Sequence, residues 1–176
     1  MQTDYILHLD MDGVIADFDT AFESISGGVS SEEYKKQGKS VSKLFLSQGS
    51  SFWENLNWET GGQELLNFSL SNFKVVRILS SAGTGKDWAK YKEVQAGKTA
   101  WLNTHAPQLE KRNVIIVGFA NLKARHAGPD RILVDDHTVN INSWTKAGGI
   151  GFLHNSKDWK RTISDLQVYA NSPVEA

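Results

Sequence analysis

The residues best suited to chemistry are Asp10 and Asp12, in Asp10-Met11-Asp12-Gly13-Val14, directly after the apolar run Tyr5-Ile6-Leu7-His8-Leu9. A short apolar run that ends in a Gly-containing turn reads as a buried strand. Asp10 then stands at the carboxyl end of that strand, where open α/β sheets bind their ligands. In extended chain Asp12, two residues on, returns its carboxylate to the same side. Gly13 relieves the backbone and lets a bulky anion come close. Two carboxylates this near raise each other's pKa or require a cation between them, and oxygen ligands of this kind suit the hard ion Mg²⁺. The competing reading has both aspartates cap the next helix or close an Asx turn.

Other apolar runs end in polar groups in the same way. Val75-Val76-Arg77-Ile78-Leu79 leads into Ser80 and Ser81, and Ile132-Leu133-Val134 leads into Asp135-Asp136. An adjacent acid pair repels itself unless a cation sits beside it, although a helix cap with a solvated neighbour gives the same pattern. Lys123 follows the run Val114–Val117 in Asn121-Leu122-Lys123-Ala124, at the opening of a short helix. An ammonium group there would neutralise carboxylates and hold phosphate oxygens as a point charge. Lys98, on the preceding long helix, could play the same part, and the sequence leaves both open. Gly83-Thr84-Gly85-Lys86 is not a phosphate loop: the first Gly of GxxxxGK[ST] would fall at Ser80, and Asp87 stands where Ser or Thr is needed. The histidines, His8, His105, His126, His137 and His154, lack metal-ligand spacing and read as structural or surface groups.

These groups need a scaffold. A chain of 176 residues suits one domain with a small insertion. It can bury about two-thirds of its unfolded surface. A formal net charge of -1 offers no basic field for tracking a nucleic-acid backbone, so no stable nucleic-acid binding is expected. The absence of cysteine excludes disulfides, a thiolate nucleophile and a Cys zinc site. No apolar run approaches the ~20 residues of a membrane span, and Asp4 and Asp10 frame the first run unlike a signal peptide, so a cytoplasmic protein is expected.

Apolar spacing predicts a helix over Val14–Ser26, with Phe18, Phe22 and Ile25 on one face and Gly27-Gly28 at its end. Ser30 with Glu33 forms a capping pattern for a short polar helix, Ser42 starts another that closes near Gly49, and Thr60 with Gln63 caps a helix to about Leu70. A long helix runs from Asp87 to about Thr104, stopped by Pro107. The five strands are the four runs above and Ile150-Gly151-Phe152-Leu153. Their alternation with helices implies an α/β fold built on a parallel sheet with right-handed crossovers. Residues 21–56 read as a small helical cap inserted after the first strand, and 1–20 with 57–176 as the core. Phe52, Trp53 and Trp58 crowd the end of the insertion, where packing alone would account for them. The tail after Tyr169 reads as loose.

The chain resembles phosphatases of the haloacid dehalogenase (HAD) superfamily. Asp10-Met11-Asp12-Gly13-Val14 matches the first motif of that superfamily, Ser80 the Ser or Thr closing its second strand, Lys123 its lysine and Asp135-Asp136 its final acidic pair, all in the right order. A closer likeness is to the 5′(3′)-deoxyribonucleotidases and their bacterial and phage relatives. It rests on Asp10 to Phe18, on Lys123-Ala124 with Pro129 to Asp136, and on Asn140-Ile141-Asn142-Ser143-Trp144 with Gly148-Gly149. The insertion is shorter than in the mammalian enzymes and Ser80 stands where they carry Thr, so base and sugar preference do not transfer.

The resemblance implies a Rossmann-like core in which the first and fourth strands are neighbours and the second and third lie beyond the first. It implies Mg²⁺ held by Asp10, the main-chain carbonyl of Asp12 and Asp136, with Asp135 orienting a metal-bound water. Asp10 would be the nucleophile and Asp12 the general acid and base, while Ser80 and Lys123 balance the phosphoryl charge. Ser81 and Lys98 would contact the substrate phosphate, and Phe18 with Phe52 or Trp53 would hold a base. The implied substrate is a nucleoside monophosphate, above all a deoxyribonucleoside 5′-monophosphate, and relatives form homodimers. Two other readings remain: a phosphatase for another small phosphate ester or a nucleic-acid end, and a receiver-like Mg²⁺ or phosphate-binding module. Against the last, the roughly 60 residues between the first two strands far exceed an ordinary crossover.

Overall fold

The computed structural model describes residues 2–172. Its framework is a five-stranded parallel sheet of β1 (Thr3–Leu9), β2 (Phe73–Ser81), β3 (Val114–Val117), β4 (Arg131–Asp135) and β5 (Ile150–Leu153), in the spatial order β3-β2-β1-β4-β5. The order is the expected one, with β1 between β2 and β4. Leu9 lies opposite Ile78 on one side and Val134 on the other, so all three strands end at one edge. Leu7, Leu9, Ile132, Leu133 and Val134 have no exposed surface, as central strands covered on both faces require.

Four short helices separate β1 from the long helix that leads into β2: α1 (Phe18–Ser26), α2 (Ser31–Lys36), α3 (Val41–Leu46) and α4 (Ser51–Glu54), followed by α5 (Gly62–Asn72). Then come α6 (Trp88–His105), α7 (Thr138–Lys146) and α8 (Trp159–Ala170), with 3₁₀ turns at Lys111–Asn113, Ala120–His126 and Ser156–Asp158. Side chains of α5, α6 and α8 share the main core with β1 and β2, while Trp144 of α7 makes a smaller core with Leu79 and Leu133.

Several boundaries differ from expectation for local reasons. α1 starts at Phe18 rather than Val14, because the N–H groups of Val14, Ile15 and Ala16 all turn back onto the Met11 carbonyl. That loop buries Val14, Ile15 and Ala16 completely, and the Asp17 carboxylate then caps α1 by accepting from the Thr20 N–H. Ser30 caps α2 as expected, accepting from the Glu33 N–H at 3.2 Å. Ser40 rather than Ser42 caps α3, and α5 has Gly61 at its cap instead of Thr60. The helices α4, α7 and α8 are not among those expected, although α8 buries Thr162, Leu166 and Ala170 at helical spacing. α8 reaches Ala170, so the loose tail expected after Tyr169 falls mostly on residues 173–176, outside the described part.

The inserted helices meet the core at one tight point. A Cβ on Gly97 of α6 would lie 2.3 Å from the Ser50 carbonyl oxygen and 2.7 Å from the Trp53 Cβ, so only glycine lets α4 pack this closely on α6. Phe18, Phe45, Phe52 and Trp53 converge on this junction with ring centroids 5.0 to 6.2 Å apart. Trp101 of α6 fastens the other side by donating its indole N–H to the Leu56 carbonyl at 2.7 Å. Overpacking of this kind costs about 1–3 kcal/mol. Gly97→Ala should therefore lower the urea midpoint by that equivalent with an unchanged slope, and an unaltered midpoint would show that the junction yields freely.

Candidate active site

The edge where β1, β2 and β4 end collects the polar residues singled out by their spacing. After Leu9 the Asp10 N–H still bonds the Val134 carbonyl, which keeps Asp10 in register beside β4. The Asp10 Oδ1 accepts from the Met11 N–H at 2.7 Å, fixing the carboxylate over the turn. At Gly13 φ is +72°, and a Cβ there would sit 2.5 Å from Asp136 Oδ2, so glycine serves both the turn and the approach of the second acid pair.

Both lysines left open by the sequence are in the site, and each has its own carboxylates. The Lys123 ammonium, from the 3₁₀ turn, lies 2.7 Å from Asp10 Oδ2 and 2.7 Å from Asp135 Oδ2. Lys98, from α6, donates to Asp12 Oδ2 at 2.6 Å, to the Ser80 hydroxyl at 2.8 Å and to the Ser81 carbonyl at 3.0 Å. Both side chains are buried, Lys98 completely. Ser80 thus joins the cluster through its hydroxyl. Ser81 joins through its main-chain oxygen, its hydroxyl accepting instead from the Gly83 N–H.

Asp135 is fully buried, and besides Lys123 its carboxylate accepts from the His137 N–H and, at both oxygens, from the Asn140 side-chain amide N–H. Asn140 was not singled out as a site residue. Its position in the first turn of the helix after an acid pair, where Asn favours bonding nearby groups over lengthening a helix, was the available signal. Phe18, Phe52 and Trp53 lie in the aromatic cluster of the insertion. Trp53 reaches the polar site by placing its ring 4.4 Å from the Lys98 ammonium.

Four carboxylates surround two ammonium groups, which leaves two negative charges uncompensated in a largely buried space. The carboxylate oxygens of Asp10, Asp135 and Asp136 gather within 4.8 Å of one another, and Asp136 Oδ1 is buried with no partner. Asp135 has most of its acceptor capacity engaged by protein groups, so Asp136 and Asp10 are the carboxylates freer to ligate. The Asp12 side chain turns to Lys98 instead. A hard, oxygen-seeking divalent cation fits this donor set and its charge deficit.

The same environment separates the four acids. Burial alone would raise Asp10, but Lys123, Lys98 and the Met11 N–H together hold its pKa below the ordinary carboxylate value. Burial raises Asp12 despite Lys98 beside it, with Asp10 adding to the rise. Asp135 is raised by burial and by Asp10. Asp136 is pushed up to about 8 by burial and then by Asp10, Asp135 and Asp12. Burial opposes the charge on Lys123, yet Asp10 and Asp135 raise its pKa.

No protein-family model matches the sequence, and no curated protein does. Solved structures do match. A HAD-superfamily hydrolase of Ehrlichia chaffeensis aligns over 97% of this chain and 100% of its own, with TM-score 0.56 and 14% identity. A dehalogenase aligns over 88% of this chain and 86% of its own, with TM-score 0.51 and 15% identity. A HAD-family enzyme of Bacteroides thetaiotaomicron, an aspartate-to-alanine variant in complex with magnesium and inorganic phosphate, aligns over 90% and 98%, with TM-score 0.50 and 12% identity. The chain has the fold of the HAD-superfamily hydrolases.

Asp136 gives the site a pH signature. Its pKa is about 8 in the folded protein against 3.8 ordinarily, so between those values the folded state binds more protons than the unfolded one. This group's contribution to stability in the absence of metal therefore falls as pH rises from about 4 to about 8. A divalent cation at this donor set would take the place of that proton. Added Mg²⁺ should raise the melting temperature more at pH 8 than at pH 5, and Asp136→Asn should remove the difference. Equal shifts at both pH values would place the cation elsewhere.

Proposed function

We propose that this protein is a Mg²⁺-dependent phosphomonoesterase that works through a phospho-aspartate and acts on nucleoside monophosphates, with deoxyribonucleoside 5′-monophosphates as the favoured class. The observation that carries the reading is the pairing of two carboxylates two residues apart with different lysines, Lys123 at 2.7 Å from Asp10 Oδ2 and Lys98 at 2.6 Å from Asp12 Oδ2, which leaves the pKa of Asp10 lowered and that of Asp12 raised by burial. Environments that drive neighbouring acids apart in this way mark a nucleophile and a proton donor.

In the first step an Asp10 oxygen attacks phosphorus, the ester P–O bond breaks and Asp12 gives its proton to the leaving oxygen. In the second, Asp12 takes a proton from water, the water oxygen attacks phosphorus and the bond to Asp10 breaks, releasing phosphate. Lys123 and the Ser80 hydroxyl would face the phosphoryl oxygens, whereas Lys98, expected to join them, has its three donors taken by Asp12, Ser80 and Ser81. Mg²⁺ held at Asp10, Asp136 and the Asp12 main-chain carbonyl would supply the remaining positive charge for the transferring group.

The helical segment 21–56 would act as a small cap carrying substrate recognition, as its aromatic cluster borders Lys98 through Trp53. The state of that cluster favours a second reading as well. Phe52 and Trp53 are buried against each other and against Phe18, which alone is half-buried. A base would stack on Phe18 rather than slide between rings, and a smaller phosphate ester would need no such face.

Phosphate release from ribo- and deoxyribonucleoside 5′- and 3′-monophosphates, beside 4-nitrophenyl phosphate, tests the proposal. Mg²⁺-dependent release favouring nucleotides at least tenfold in kcat/KM is expected, and Asp10→Asn should abolish it without unfolding the protein. Release from simple esters alone would overturn the nucleotide reading while keeping the chemistry, and retained turnover by the variant would overturn the nucleophile.

A further inference from the structure

The stretch from Asn140 to Trp144, with Gly148-Gly149, takes no part in the phosphoryl chemistry, yet the structure ties it to the second acid pair. Asn140 and Trp144 lie one turn apart on α7 and share a face. Trp144 anchors that face on the sheet: its ring is fully buried against Leu79 and Leu133 and lies 5.1 Å from His8, and its indole N–H donates to the Arg131 carbonyl at 3.3 Å. A Cβ on Gly149 would stand 2.2 Å from the indole nitrogen, so only glycine leaves room for the ring. With α7 fixed in rotation, Asn140 is buried against Asp135.

The Asn140 Nδ2 lies 2.9 Å from Asp135 Oδ1 and 3.0 Å from Oδ2. Turned the other way, the amide would set its own oxygen against a carboxylate, so the site permits this orientation alone. Oδ1 also accepts from the His137 N–H at 2.9 Å, and Oδ2 from the Lys123 ammonium at 2.7 Å. A carboxylate offers about four lone-pair sites. These contacts fill that capacity, and Asn140 supplies half of them. Asp136, next in the chain, is the opposite case: among the described residues its Oδ1 is buried with no partner, and its Oδ2 stands 3.9 Å from His137 Nε2. An oxygen of Asp135 nevertheless lies within 4.8 Å of oxygens of Asp10 and Asp136, near enough to share a cation with them. Its filled set of hydrogen bonds is what withholds it.

We propose that Asn140 is a positioning residue that keeps the Asp135 carboxylate out of the cation's donor set and so fits the site to Mg²⁺ in preference to Ca²⁺. The inference rests on the Mg²⁺-dependent reading above and adds to it what sets the choice of ion. Mg²⁺ is small, keeps several of its waters and is bound through few carboxylates, whereas Ca²⁺ takes about six to eight oxygens and often holds carboxylates by both. Asp10 and Asp136 suit the first ion. A released Asp135 moves the set toward the second.

The test reads cation binding by the resting protein, without substrate. Melting temperatures across Mg²⁺ and Ca²⁺ titrations give an apparent Kd for each ion. They are compared for the wild type, Asn140→Leu, Asn140→Ser and the double variant Asp135→Asn with Asn140→Leu. The ratio of Ca²⁺ to Mg²⁺ affinity should rise about tenfold or more in Asn140→Leu, and because both ions are read on the same protein a general loss of stability cancels. In the double variant the rise should vanish, since the released carboxylate is gone.

Asn140→Ser, too short to span both oxygens, should show the same rise and serves if Asn140→Leu does not fold. An unchanged ratio in these variants, or a rise that persists without the Asp135 carboxylate, would overturn the proposal while leaving the cation site in place. A wild type whose melting temperature responds to neither ion would instead overturn the Mg²⁺ reading itself.

Discussion

The site depends on the pairing of two buried ammonium groups with four carboxylates. A lysine taken out of water is tolerated only when partners replace its hydration, and removing one member of a buried pair costs about 3–5 kcal/mol. Lys123 binds the end of β1 to the end of β4, and Lys98 binds the turn after β1 to the end of β2 and to α6. Each lysine is thus a cross-link between elements far apart in sequence. Because the acids outnumber the lysines by two charges, the cluster is incomplete without a divalent cation or extra protons, and Asp136 shows this in its raised pKa.

Much of this was legible in the sequence because it depends on strand ends. Asp10, Ser80 and Asp135-Asp136 each follow an apolar run, and a parallel sheet brings such ends to one edge whatever the loops do. The strand order, with β1 between β2 and β4, was implied by the resemblance and not by the pattern of apolar runs. The division between Lys98 and Lys123 was not legible. Lys98 enters the site only because α6 crosses close under α4 at Gly97, a tertiary contact that leaves no local signature. Asn140 was missed because its task is to hold a carboxylate that already looked sufficient alone. Helix starts failed where backbone geometry overrode side-chain patterns, as in the turn of Val14 to Ala16 onto Met11.

The aromatic cluster of the insertion touches the polar site through Trp53. Its rings could have been read as packing or as a base pocket, and the structure shows them packed, with one member resting on the lysine that holds Asp12. The contact that closes the insertion onto the core at Trp53 therefore also touches Lys98, which in turn holds Asp12. The same economy appears at Gly13, where one residue serves the turn and makes room for Asp136. Among the described residues no helix is long and apolar enough to cross a membrane.

Chemical trapping of the covalent intermediate tests the central claim most directly. The protein is mixed with a phosphate monoester and Mg²⁺, quenched in acid during turnover and reduced with borohydride, which converts a phosphorylated aspartate to homoserine. The account predicts homoserine at position 10 and nowhere else. Steady turnover with Asp10 unmodified, or reduction at another carboxylate, would contradict it.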